Sequence, residues 1–434
     1  MSEHNDNSGS TWRSRQYLIY LLFILILVQI LDTYTQFYLN AIPSEVKKSF
    51  LSEYSKNVAD SIFAIAVAIA TLGSYVAFFV WYLADRIGRK TLLLATVFGL
   101  TIGSIGIFLS RNIVEYTIFY FVIWTFGISD VWLMYINEEA PADKKGFWTN
   151  IILVGGMIGS ILIPIFRAIF VTETSPTGSW KGMTFFPIFL GIPLGLIILL
   201  TIKETSKYEE LKSKNILENI EKRSFRESIK TLFKIEHKTS LYAVLILFFI
   251  RYLNYFSIYL GEIILSETLG FNAGQIAVLL AVMSISTVLG YVTAGKLSDK
   301  YGRRPILYIL TIMLNIASLI WLYVLFLRPI PTVAFVLIII AVSFNNIAFY
   351  GLWTFLSIIT LELVPTEARG TGSGFKTFVG AFANTLGLVL TSIITLYLGL
   401  VAAFIIFGFF YLLNYPIIYK YLVETKGIDL SKVE

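Results

Sequence analysis

Leu83-Ala84-Asp85-Arg86-Ile87-Gly88-Arg89-Lys90 returns as Leu297-Ser298-Asp299-Lys300-Tyr301-Gly302-Arg303-Arg304, an offset of 214 from position 83 to position 297. Two more patterns return with it. Glu138-Glu139-Ala140-Pro141, then Lys145-Gly146, is answered by Glu362-Leu363-Val364-Pro365, then Arg369-Gly370. Lys203-Glu204-Thr205-Ser206-Lys207 is answered by Val423-Glu424-Thr425-Lys426-Gly427. From Glu138 to Glu362 the offset is 224, and from Glu204 to Glu424 it is 220. Three repeats in one order at nearly one spacing mean that the chain is a duplicated unit.

The unit is a membrane unit. Of 434 residues, 56% are hydrophobic and 14% charged, with a mean hydropathy of +0.75. A soluble domain carries about 25% charged residues, so this chain cannot cover a water-facing surface. Twelve apolar stretches are long enough to cross a bilayer: 17–40, 57–82, 91–110, 114–137, 147–170, 183–202, 240–266, 273–295, 306–327, 331–361, 371–395 and 397–422. No alternation of a β-barrel kind appears. The three repeated patterns follow segments 2 and 8, 4 and 10, and 6 and 12, so each unit holds six segments. The expected organisation is a tail over 1–16, a six-helix bundle over 17–202, a polar linker over 203–239, a second bundle over 240–422 and a tail over 423–434. The first apolar stretch is too long for a signal-peptide core and reads as a retained helix. The linker region holds ten Lys/Arg and seven Asp/Glu between Lys203 and Lys238, and its part from Glu218 to Lys234 fits a surface helix.

Basic residues set the expected orientation. With the N-terminus inside, 26 of the 34 Lys and Arg fall in inner segments. Lys47, Lys48, Lys56, Arg111, Lys181 and Arg328 fall in outer loops, and Arg167 and Arg251 within helices. Both termini are therefore expected in the cytoplasm, with the duplicated patterns on that face. The net charge of +6 is then a property of that face and not a signal for nucleic acid. There is no cysteine, and the two histidines, His4 and His237, sit in polar segments. A thiol nucleophile is excluded, and neither a metal site nor a cofactor is expected.

These motifs resemble those of the major facilitator superfamily, in its sugar-porter-like branch. The D-R-x-G-R-K loop at 85–90 and its counterpart at 299–304 match the superfamily signature, and the E-x-x-P-x-x-x-[RK]-G blocks and the terminal E-T-K-G match the branch. The sequence departs in places: Trp81 stands where the family has glycine, which Gly295 keeps, and Val423 stands where proline is usual. The resemblance covers essentially the whole chain. It implies an all-α fold of two pseudo-symmetric six-helix bundles, working as a monomer in the plasma membrane and passing a small-molecule substrate by alternating access. It also implies a cytoplasmic charge latch between the halves. In that latch Asp85, Arg86, Arg89 and Lys145 act with Glu138 and Glu204, and Asp299, Arg303, Arg304 and Arg369 act with Glu362 and Glu424. Arg89 would pair with Glu138 or Glu204, and Arg303 with Glu362 or Glu424. Gly88, Gly302, Gly146 and Gly370 are expected at tight turns, and Gly155 and Gly159 on a close-packing helix face.

Ionisable groups at membrane depth are functional candidates by default. Asp32 lies about 22 Å along segment 1 at 1.5 Å per residue. The family's proton-coupled members carry an acid in this region, so Asp32 is the first candidate for the protonatable carboxylate and Asp130 the second. Arg251 lies near the middle of segment 7, with Tyr255 and Tyr259 on the same helical stripe and Asn254 beside it. Phe248 and Phe249 occupy the region where sugar porters carry glutamines, and a guanidinium favours a carboxylate. The site therefore leans to an organic acid over a sugar. Alternatively, Arg251 is a fixed countercharge to Asp32 or Asp130. Trp353 and Asn384 complete the substrate-site candidates, with Asn345, Asn346 and Tyr350 as further polar and stacking surface. Arg167 reads equally as a snorkelling side chain or a ligand contact, and Glu262 as too near the outer end to take part.

The function expected is secondary active transport of a small organic solute, a sugar or an organic anion, coupled to protons. An uncoupled uniporter or exporter of the same fold is the alternative, and a transporter-like sensor the alternative of another class. An ATP-driven pump is excluded. Gly370-Thr371-Gly372-Ser373-Gly374-Phe375-Lys376-Thr377 has Phe375 where a phosphate loop needs its second glycine. A membrane-embedded enzyme would need a clustered catalytic set that two remote histidines cannot supply.

Overall fold

Inside a bilayer every backbone N–H and C=O must be satisfied within the chain, which leaves helices as the answer for apolar stretches of this length. The computed structural model describes residues 14–76, 88–127, 131–140, 145–213, 238–364 and 369–424. Twelve helices among them are long and apolar enough to span a membrane. They are α1 (Arg15–Ala41), α2 (Lys56–Val76), α3 (Arg89–Leu109), α4 (Ile113–Ile136), α5 (Trp148–Phe170) and α6 (Ser179–Thr201), then α7 (Lys238–Thr268), α8 (Ala273–Val292), α9 (Arg303–Leu327), α10 (Pro331–Thr360), α11 (Gly374–Leu398) and α12 (Leu400–Tyr421). All twelve expected segments are found. Little polar sequence separates α11 from α12. The break is made by Gly399, whose φ of 85° ends one helix and turns the chain into the next.

The packing follows the duplication. In the first half α1 lies against α5, α2 against α4, and α3 against α4 and α6. In the second half α7 lies against α11, α8 against α10, and α9 against α10 and α12, the same pattern shifted by six helices. The halves meet along α2 with α11 and α5 with α8, two contacts that a two-fold axis exchanges. Large apolar side chains cover the outside, among them Leu200, Phe189 and Phe326. That surface suits lipid.

Glycine sets the closest helix approach. A Cβ at Gly159 would stand 2.6 Å from the Ile30 carbonyl oxygen and 3.0 Å from the Tyr34 nitrogen, and one at Gly155 2.6 Å from Ile26. The small face expected on segment 5 thus presses α5 onto α1. Of the four expected turn glycines, Gly88 and Gly302 turn the chain, at φ 94° and 96°. Gly146 and Gly370 instead lie in the first turn of their helices, because helix already begins at Lys145 and Arg369. The phosphate-loop-like stretch from Gly370 is part of that second helix. The surface helix expected over 218–234 lies outside the described residues.

Candidate functional site

At the motif end each half builds one charge cluster. Arg89 opens α3, and its guanidinium donates to Glu138 Oε1 from Nε (3.2 Å) and Nη2 (3.1 Å). The backbone N–H groups of Arg89 and Lys90 donate to Glu204 (3.0 and 3.1 Å). The second half repeats this. Arg303 Nη2 stands 2.6 Å from Glu362 Oε1, and the N–H groups of Arg303 and Arg304 donate to Glu424 (2.7 and 3.0 Å). Glu204 and Glu424 thus each cap a helix N-terminus, where orphan N–H groups and the helix dipole favour an anion. Gly88 and Gly302 make room for them: a Cβ at Gly302 would stand 2.9 Å from Glu424 Oε2. The expected pairings are therefore both present in each half, one through the guanidinium and one through the backbone. Among the described residues these bonds join groups of the same half, not groups across the two halves as a latch between them requires. Asp85 and Arg86 lie outside the described residues, as do the side chains of Lys145, Asp299 and Arg369.

At the centre, α7 breaks at Asn254-Tyr255, where helix Lys238–Leu253 gives way to helix Phe256–Ile263. Segment 7 is therefore not one continuous helix. Asn254 turns its amide back to the Ile250 carbonyl (3.0 Å), serving the break. The stripe survives it. Tyr255 and Tyr259 have ring centroids 5.1 Å apart, and the Arg251 guanidinium stands 5.8 Å from the Tyr255 ring. Asn384 of α11 donates to the Tyr259 hydroxyl (3.3 Å). Trp124 of α4 meets Tyr259 edge-on at 6.0 Å, which carries the aromatic wall across the two halves.

Arg251 itself is 2% exposed. Its Nε donates to the Phe349 carbonyl (2.7 Å), and its charge lies 3.9 Å from the Phe349 ring and 4.7 Å from the Tyr252 ring. It forms no ion pair among the described residues, and its Nη1 has no hydrogen-bond partner there. The Asn384 Oδ1 atom is likewise buried without a partner among them. Asp32 is buried in α1 and accepts a hydrogen bond from Gln36 Nε2 (2.8 Å), which also reaches the Gly127 carbonyl. Asp32 and Arg251 are not bonded to each other. Asp130 lies outside the described residues. A cavity of about 180 Å³ runs through the second half, walled in part by Asn40, Asn254, Ser257, Asn345 and Asn346; Arg251 is not in its wall.

At the far end the halves are joined by charge. Arg167 of α5 pairs with Glu262 of α7 at 2.8 Å, with side chains 2% and 1% exposed. Arg167 also donates to the Ala41 carbonyl (2.7 Å), and Ser44 gives Glu262 both its N–H (3.0 Å) and its hydroxyl (2.8 Å). Beside them Lys47 binds Asp60 within the first half and Glu267 of the second (2.7 Å). The two expectations for this end are corrected. Arg167 does not snorkel, because Glu262 lies within its reach, and Glu262 is a central member of the contact. Among the described residues, the ion pairs that cross between the halves all lie at this end.

The sequence profile of the "Sugar (and other) transporter" family matches residues 20–434. The chain belongs to this family. Like its other members it is a transporter, not an enzyme. A relative in Bacillus subtilis (strain 168), named "Putative niacin/nicotinamide transporter NiaP", is 25% identical over 368 residues, covering 82% of this chain and 84% of its own. The crystal structure of a D-xylose-proton symporter superposes with a TM-score of 0.78 at 18% identity, covering 95% of this chain and 99% of its own. The inward-open xylose transporter XylE of E. coli superposes at 0.75 with 18% identity, covering 96% and 99%. These two likenesses establish the fold: two six-helix bundles of the major facilitator kind.

Within this family frame, four features escaped the reading of the sequence. Lys376 falls near one end of the expected segment 371–395, where a charge reads as interfacial, yet it is buried in α11. Asp60 lies in α2 and carried the ordinary signal of an acid in an apolar stretch. Gln36, one helical turn from Asp32, was the nearest candidate partner for it. The joining of Arg167 to Glu262 had no local signal, because α5 and α7 meet only through the tertiary fold.

Proposed function

We propose that this family member is a proton-coupled secondary transporter of a small organic anion, working by alternating access across the plasma membrane with both termini in the cytoplasm. The observation that carries the anion is Arg251. A guanidinium 2% exposed, with a free Nη1 and no acid opposite it among the described residues, is a buried charge held by one carbonyl and by ring faces, without a countercharge there. Such a charge costs several kcal/mol when it is unpaired. A carboxylate arriving at Nη1 supplies the missing partner, and the orphan Asn384 Oδ1, two aromatic residues away along the stripe, offers an acceptor for a hydroxyl. A neutral sugar supplies no charge, and Phe248 and Phe249 leave the turn before Arg251 without amide groups.

Coupling is assigned to Asp32. It is buried at membrane depth in α1, where an ionisable group is a functional candidate by default. The ion pairs at the far end close that side, and their release is the step that admits substrate from outside. At the motif end each charge cluster ties the helices of its own half into a rigid body, which suits two halves that rock against each other. Uptake into proteoliposomes tests the reading, with nicotinate and xylose as probes taken from the names of the relatives and short organic acids beside them. Wild type is expected to take up an organic acid and Arg251→Gln to lose that uptake at least 100-fold. Uptake of sugar alone, or acid uptake that Arg251→Gln leaves intact, would overturn it.

A further inference from the structure

Lys376 is the second buried cation of the site. It lies in α11, 6% exposed, and donates to the Ser357 hydroxyl of α10 (2.6 Å). Its ammonium stands 4.9 Å from the Phe248 ring and 6.0 Å from the Trp353 ring. Phe248 is itself packed on Tyr252, with ring centroids 4.7 Å apart, and Tyr252 carries Arg251 at 4.7 Å. The two cations therefore flank one pair of rings, Lys376 over Phe248 and Arg251 over Tyr252. Neither has an acidic partner among the described residues. The buried acids among the described residues are bonded elsewhere: Glu262 with Arg167 and Ser44, Asp60 with Lys47, Glu139 with Ser206 and Asp32 with Gln36.

Two like charges so close in an apolar wall raise each other's cost, and rings alone return about 0.5–2 kcal/mol per cation. Ser357 gives Lys376 one hydroxyl for three N–H donors. Trp353, 38% exposed, forms the accessible edge beside Lys376, and Tyr291 meets it edge-on at 5.8 Å. A molecule reaching the Trp353 face stands next to Lys376, and one reaching Nη1 of Arg251 lies across the Phe248–Tyr252 pair from it.

We propose that Lys376 is a second anion-binding position, so that the site takes an organic dianion whose two acidic groups are separated, one on Arg251 and one on Lys376. This rests on the reading of Arg251 as an anion receptor and narrows its substrate class. Lys376 also lies nearer the motif end than Arg251, seven residues from Arg369 at the start of its helix, so the second contact stands on the path out to that end.

The test uses purified full-length protein and a matched series: malonate to adipate as dicarboxylates, propanoate to hexanoate as monocarboxylates. Binding is read by competition and by quenching of tryptophan fluorescence, since Trp353 borders the site. Wild type is expected to bind the best dicarboxylate at least 10-fold more tightly than the monocarboxylate of equal length, with an optimum in chain length. Lys376→Gln should bring that ratio close to one, and Lys376→Arg, which keeps the charge, should preserve much of it. Arg251→Gln should weaken both series. Monocarboxylate binding that depends on Arg251, with no preference for dicarboxylates or a preference that Lys376→Gln leaves unchanged, overturns the second position and leaves the anion reading standing. Failure of both series to bind, or binding indifferent to Arg251→Gln, overturns both.

Discussion

Arg167→Met cuts the far-end contact at its centre. Arg167 and Glu262 are 2.8 Å apart, and their side chains are 2% and 1% exposed. Removing one partner leaves Glu262 buried among Ser44 donors with its countercharge gone, a change worth about 3–5 kcal/mol in comparable buried pairs. On the proposed alternating-access cycle the pair parts when the far end opens, so nearly all of that loss falls on the closed state. At 1.4 kcal/mol per tenfold, the balance between closed and open shifts by about 10²- to 4 × 10³-fold, enough to invert a two-state equilibrium of ordinary size. The chain has no cysteine, so Thr174→Cys and Ile330→Cys place one spin label on the far end of each half without further engineering. Distance measurement by pulsed electron resonance is expected to show one short population in the labelled parent. With Arg167→Met a longer population should dominate. The double variant Arg167→Met/Glu262→Met leaves no stranded charge and should fall between the two. A distance distribution unchanged in both variants, with the protein still folded, would refute the assignment of closure to this pair.

Other perturbations read other parts of the structure. Gly88→Ala and Gly302→Ala force alanine to φ near +95° with extended ψ, at about 1–3 kcal/mol each, and push Glu204 or Glu424 off its helix N-terminus; thermal melts of the detergent-solubilised protein should show each variant less stable than wild type. Gly159→Leu drives a side chain into the backbone of α1 at Ile30 and Tyr34, and size-exclusion chromatography is expected to show loss of the monodisperse folded protein. Ser61→Ala removes a hydroxyl bonded to Ser392 across the α2–α11 seam (2.9 Å), a loss of about 0.5–1.5 kcal/mol, which should alter transport rate more than folded yield.

The fold was legible because three separate signals agree on it. Twelve apolar runs, the one-sided bias of Lys and Arg, and three repeats at nearly one spacing describe the same duplicated bundle. The pairings of Arg89 and Arg303 were legible too, since their acids recur beside them in both copies. What the motifs did not carry was that these bonds stay inside each half and do not latch one half to the other, because that depends on helix packing around α3 and α9. Arg251 stood out as a charge in an apolar run, and so its place at the centre was readable. Lys376 was hidden by position: near the motif end of segment 371–395 it looks like an interfacial charge, and only the packing of α11 against α7 and α10 buries it. Arg167 and Glu262 are separated by 95 residues, and no local pattern joins them.

The most direct test of the central claim is proton movement driven by substrate. Proteoliposomes loaded with a pH dye are given organic acids and sugars in turn, for wild type and Asp32→Asn. Internal acidification with an organic acid, absent with sugars and lost in Asp32→Asn, is the predicted result. Acidification by a sugar and not by an acid would contradict the anion site, acidification untouched by Asp32→Asn would move the proton elsewhere, and uptake with no pH change would remove the proton from the mechanism.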